Sequence, residues 1–182
     1  MMETIGFLEL NSIAKGVEAA DAILKAAETD LLFAKAICPG KYVVMFTGEV
    51  APVKVSLEAG VRIGEEHVVD SVAIPMVDPQ VIEAINAASL PEDVGAVGVM
   101  EFFSITAAVY AADAAVKAAA VTLMDVRLGC GIGGKSFVTL TGDVSAVNEA
   151  VKAGSAEGES RGLMVAAVVI PNPRPEIFES LM

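Results

Sequence analysis

The sequence predicts an α+β protein built as two tandem copies of one unit, each a four-stranded antiparallel sheet with helices. Three observations predict it. Residues 5–38, IGFLELNSIAKGVEAADAILKAAETDLLFAKAIC, recur 92 positions later as VGVMEFFSITAAVYAADAAVKAAAVTLMDVRLGC, with 14 of 34 aligned residues identical. After a two-residue insertion, GKYVVMFTGEVAPV (40–53) recurs as GKSFVTLTGDVSAV (134–147). Within each copy the hydrophobic spacing alternates between strand-like and helix-like in the order β-α-β-β-α-β. An internal duplication sets the domain count: residues 1–90 and 91–182, each near the lower end of what buries an adequate core alone.

The elements follow in order. IGFLEL alternates and is rich in β-formers, and Asn11 or Ser12 can cap the helix behind it. SIAKGVEAADAILKAAE carries Ile13, Val17, Ala20 and Leu24 at amphipathic helical spacing. LLFAKAIC and KYVVMFTG read as two strands joined by a Pro39-Gly40 turn. VAPVKVSLEAG is a second helix, expected to close at Gly60. HVVDSVAIP is a fourth strand, and DPQVIEAINAA a short helix behind a proline. The second copy repeats this through SFVTLTG, VSAVNEAVKAG, GLMVAAVVIP and RPEIFESL. This order is the ferredoxin-like (split βαβ) arrangement. Ala87–Ala96, with its polar, Pro and Gly content, is the expected linker.

Composition narrows the function classes. Hydrophobic residues make up 54%, much of it Ala and Val, and the mean hydropathy is +0.63. The most apolar helical stretch, Ile105–Val121, is interrupted by Asp113 and Lys117, so no membrane span is expected. Glu3 and Glu9 bracket the N-terminal apolar run, which is not the layout of a signal peptide. The apolar excess points to subunits that bury each other. A net charge of −12 argues against nucleic acid, whose phosphates require a basic face. Two cysteines 92 apart without a secretory signal fit a cytosolic chain rather than a disulfide scaffold.

Gly129–Ser136, GCGIGGKS, fits the G-x-x-x-x-G-K-[ST] phosphate-loop pattern. That chemistry needs a helix to begin at the Lys-Ser, so that free N–H groups and the dipole face the phosphates. The residues that follow, Phe137-Val-Thr-Leu-Thr141, are alternating and β-branched, which is strand. The other copy has Pro39-Gly40-Lys41-Tyr42 there and no phosphate pattern. A glycine turn between strands is the favoured reading. The lone histidine, His67, lacks a second His or Cys to make a metal site, and reads as hydrogen-bonded or at the solvent edge. Glu9/Glu101 and Asp21/Asp113 recur because the chain is duplicated, and read as hydrogen-bonded or solvated acids. No catalytic residues are assigned, and an enzyme is not expected.

Each half resembles a bacterial microcompartment shell domain. The resemblance rests on the opening V/I-G-x-x-E strand, the A-A-D-A-x-x-K-A-A helix, a glycine turn followed by Lys and a strand ending T-G-[DE]-V, a helix ending A-G, and the closing V-x-I-P. Both copies carry these marks. The chain is thus similar to tandem-domain shell proteins, and most so to the T-type (iron–sulfur) class of the propanediol-utilisation compartment, through SIAxGxEAADAIL, Leu31-Leu32 and Ile37-Cys38-Pro39-Gly40-Lys41. The resemblance implies a homotrimer that imitates a hexameric tile in the microcompartment shell, within the cytoplasm. It implies contacts with other shell proteins, and with encapsulated redox enzymes. It further implies that three Cys38 residues, in the pore loop with Pro39 and Gly40, hold one [4Fe-4S] cluster per trimer, for electron transfer across the shell or cluster delivery. It places Lys25 and Lys117 at the assembly edge; Arg174 is a weaker edge candidate, since the first copy has Asp78 there.

Two cysteines per chain do not supply four thiolates, so a cluster within one chain is excluded. One cysteine from each of three chains leaves an iron open to water or an outside ligand. Cys38 ends a strand in a turn tightened by Pro39 and Gly40, where its side chain can project; the other reading is a small buried apolar Cys. Cys130, between two glycines in a longer loop without the proline, reads as packed on its residues alone; since it aligns with Cys38, two placements remain open, lining the same pore or packing beneath it. Two alternatives stay open: a P-loop nucleotide-binding enzyme using Gly129–Ser136, and a tile whose pore is empty for metabolites.

Overall fold

The computed structural model describes residues 4–89, 91, 95–129 and 131–179. The chain divides into two compact units, residues 1–77 with 129–134, and residues 78–128 with 135–182.

In the first unit, β1 (Thr4–Leu10) is buried at every position. Ser12 then accepts from the Lys15 N–H (3.3 Å) and caps α1 (Ile13–Ala26), satisfying a donor that the first turn leaves orphaned. β2 (Asp30–Ile37), β3 (Lys41–Gly48) and β4 (Val68–Ile74) complete an antiparallel sheet in the order β2-β3-β1-β4. That order is the split βαβ topology. Between β3 and β4 runs α2 (Val50–Gly64). The two helices and the sheet share a core of Leu8, Leu10, Ala19, Ala20, Ile23, Val44, Phe46 and Val53. Full burial of a Leu, Ile or Phe side chain contributes about 1.5–3 kcal/mol, so each large residue of this cluster adds materially to the unit's stability.

Two details depart from the sequence expectation. The face of α1 turned to the core is Gly16, Ala19, Ala20 and Ile23, whereas Ile13, Val17 and Leu24 are exposed. Small residues win the inner face because they let the helix sit close: a Cβ at Gly16 would lie 2.4 Å from Tyr42. Likewise Gly60 does not end α2, which runs on to Gly64. A Cβ at Gly60 would stand 2.7 Å from Ile23, so this glycine serves the approach of α1. Glu65, at φ 50°, ends the helix and donates its N–H to the Val61 carbonyl.

The second unit opens with α3 (Pro79–Asn86), capped by Asp78, which accepts from the Gln80 N–H (3.0 Å). Then come β5 (Ala96–Phe102), α4 (Ile105–Ala118), β6 (Thr122–Leu128), β7 (Ser136–Gly142), α5 (Val144–Ser160), β8 (Met164–Ile170) and α6 (Pro175–Glu179). The sheet order, β6-β7-β5-β8, matches that of the first unit. Ser104 caps α4 as Ser12 caps α1. Helix α5 continues six residues past Gly154, beyond the expected stop. In the expected linker, residues 90 and 92–94 lie outside the described residues, and Ser89 donates its N–H to the Met124 carbonyl (2.8 Å). No helix among the described residues is long and apolar enough to cross a membrane.

Candidate functional site

Strands β2 and β3 pair antiparallel to the last residue, Ile37 opposite Lys41, so the chain must reverse over three residues. It does so at Cys38-Pro39-Gly40, with a cis Cys38–Pro39 bond and the Gly40 N–H donating to the Ile37 carbonyl (3.0 Å). Gly40 stands at φ +89°, where an L side chain is strained. Cys38 is exposed and free. Segment 129–134 belongs to the same compact unit, and Gly134 closes on this turn: a Cβ there would be 2.5 Å from Pro39 Cδ and 2.9 Å from the Cys38 carbonyl oxygen. Sequence reasoning missed that packing role, although Gly134 aligns with Gly40. Cys130 lies outside the described residues.

The lysine after each glycine turn has a partner that the linear motif hides. Lys41 Nζ lies 2.6 Å from Glu9 Oε1, and Lys135 Nζ lies 2.5 Å from Glu101 Oε1. The glutamate of the opening strand and the lysine of the turn are thus one device, made twice. It anchors the start of β3 on β1, and of β7 on β5. The environments differ: Glu9 is fully buried with Lys41 at 18% exposure, while Glu101 and Lys135 are 32% and 41% exposed.

The phosphate-loop alternative fails on geometry. Ser136 begins β7, not a helix, so no row of free N–H groups follows the glycines. Its hydroxyl is spent on the Ser104 carbonyl (2.7 Å), and Lys135 on Glu101. His67 sits in a short 3-10 turn rather than at the head of β4, with Nδ1 2.9 Å from Asn11 Oδ1 and its carbonyl accepting from the Asn11 N–H. Lys25 and Lys117 each pair with the aspartate one turn earlier, Asp21 and Asp113, both at 2.6 Å. On the edge strands, Phe33 and Lys35 of β2 make a cation–π contact (4.5 Å), where Asp125 and Arg127 of β6 make an ion pair (2.8 Å). Burial pushes the Asp125 carboxyl above the ordinary range, and Arg127 opposes that.

The sequence matches the BMC domain family twice, over residues 4–77 and 96–173. This chain belongs to the BMC-domain shell-protein family. It is 42% identical over its whole length to the bacterial microcompartment shell protein PduT of Citrobacter freundii, covering 99% of that protein. It is 30% identical to the carboxysome assembly protein CcmO of Synechococcus elongatus, over 97% of this chain and 68% of the relative. Among solved structures, a microcompartment protein from Desulfitobacterium hafniense superposes with a TM-score of 0.87 at 50% identity, covering 98% of this chain and 99% of that one. A fused permuted hexameric shell protein, at 22% identity and a TM-score of 0.64, shares the fold over 84% of this chain and 81% of its own. The chain is therefore a structural protein of the microcompartment shell with two BMC domains, not an enzyme.

Proposed function

We propose that this shell protein forms a homotrimer, a pseudohexameric tile of domains 1–90 and 91–182, in which Cys38 of three subunits holds one [4Fe-4S] cluster at a central pore. The observation that carries the reading is the placement of Cys38: an exposed, free thiol at the tip of a tight turn, kept out of the core that usually takes a lone cysteine. The donor set fits a shared group. Among the described residues of one chain no three His, Cys, Asp or Glu side chains gather, whereas one thiolate from each of three chains supplies three ligands. When bound, such a cluster supplies one-electron redox chemistry, suited to electron transfer across the shell or cluster delivery to encapsulated redox enzymes. The chain's own part is to hold the thiol outward. Gly40 provides the left-handed residue of the turn, and the Glu9–Lys41 pair pins the strand that follows it. Lys25 and Lys117, paired alike in the two copies, serve the edges that meet other shell proteins.

Protein purified without oxygen tests this. Wild type should be brown, with broad absorption at about 400 nm and iron and sulfide near a ratio of roughly four per three chains. Cys38→Ser should lose colour and iron yet remain trimeric by light scattering, because a hydroxyl is a poor ligand for iron. Cys130→Ser should keep both. Equal iron in wild type and Cys38→Ser would remove the cluster reading and leave a plain metabolite pore.

A further inference from the structure

The short helix after the first repeat has a counterpart after the second: Pro79-Gln80-Val81-Ile82-Glu83 of α3 aligns with Pro175-Glu176-Ile177-Phe178-Glu179 of α6. In the second unit α3 lies along the edge strand β6. The Asp78 N–H donates to Asp113 Oδ1 on α4 (2.9 Å), the Leu123 N–H of β6 donates to Gln80 Oε1 (3.1 Å), and Val81 is fully buried. Covered in this way, Leu123 is 3% exposed and the Asp113 side chain 8%.

Strand β2 is the equivalent edge of the first unit. Its register is the same, Leu31 opposite Phe46 as Leu123 is opposite Leu140, and each strand carries its irregularity at the next step. Yet Leu31 is 43% exposed and the Asp21 side chain 61%, while Ile177 on α6 is 50% exposed. One pairing of helix and edge is closed within the chain; in its duplicate, Leu31 and Asp21 on the edge side and Ile177 on the helix side are exposed.

We propose that α6 of one copy docks on β2 and α1 of a second copy, as α3 docks on β6 and α4. The Arg174 N–H takes the place of the Asp78 N–H and donates to Asp21, Glu176 accepts from the Leu31 N–H, and Ile177 covers Leu31. Charge is compatible with the fit: the Arg174 guanidinium, held by Glu176 (2.9 Å), comes beside the Asp21–Lys25 pair at a position where the first repeat has an acid, Asp78. The contact also covers an edge strand that would otherwise template pairing with other chains. Helix and edge are different surfaces, so the contact is head-to-tail, the kind that closes into rings. This inference rests on the trimer proposed above and names the element that links one subunit to the next.

Hydrogen exchange of the full-length protein with light scattering on the same samples tests it. In the wild-type trimer, amides of residues 30–36 should exchange at least about tenfold more slowly than in Ile177→Asp. Those of residues 122–128 should stay protected in both, which shows that the variant is folded. A trimeric wild type whose 30–36 amides exchange as fast as the variant's would overturn this inference and leave the trimer standing. A monomeric wild type would overturn both.

Discussion

Replacing Lys41 by Met probes a pair for which the duplication supplies its own control. Glu9 is fully buried and Lys41 is 18% exposed at 2.6 Å, whereas Glu101 and Lys135 make the same contact with 32% and 41% exposure. Methionine keeps most of the aliphatic stem, so the change removes the cation more than the packing. Taking one partner from a buried pair costs about 3–5 kcal/mol, because the remaining charge stays out of water. A half-exposed pair is worth about 0–1 kcal/mol, because water solvates what is left. Lys41→Met should therefore destabilise several-fold more than Lys135→Met. At roughly 4–8 °C of Tm per kcal/mol for domains of this size, the first should lower the Tm by more than about 12 °C and the second by less than about 8 °C. Urea unfolding followed by far-ultraviolet circular dichroism, at equal chain concentration, measures the two losses side by side. The double variant Glu9→Leu/Lys41→Met should regain much of the loss, since two apolar groups need no charge partner. Equal losses for the two lysines, or a double variant worse than Lys41→Met alone, would refute the argument from burial.

Two further predictions concern assembly and pH. Of two paired substitutions, Lys25→Glu sets a like charge one turn from the exposed Asp21, which costs the helix only about 0.2–0.5 kcal/mol, whereas Lys117→Glu also strips the cation from Asp113, whose side chain is 8% exposed, and costs α4 more than that. The trimer should survive while extended sheets in the electron microscope disappear; unchanged sheets would disprove the edge role. For Asp125 the folded carboxyl titrates higher than the unfolded one, chiefly through burial. Between the unfolded and the raised folded value the folded chain holds the extra proton, so this group's contribution to stability falls as pH rises through that window and stays lost above it. Asp125→Asn should accordingly raise the urea midpoint at pH 7 and flatten that slope. A lower midpoint would mean that the contact with Arg127 outweighs burial.

The duplication, the alternation of strand and helix and the turn at Pro39-Gly40 were legible in the residues, because each depends on local spacing. So was the weakness of the phosphate-loop match: the β-branched run from Phe137 marks a strand, and β7 is one. Other features depend on distances between segments far apart in the chain. Spacing could not tell that α1 turns Gly16, Ala19 and Ala20 inward and leaves Ile13, Val17 and Leu24 out, since close helix packing selects small residues over greasy ones. Nor could it join Glu9 to Lys41, 32 residues apart, or reveal that Gly60 makes room for Ile23 rather than ending a helix. A one-dimensional pattern records how often an apolar residue recurs. Which of those residues meets a neighbour is decided only when two helices, two strands and a turn compete for the same space.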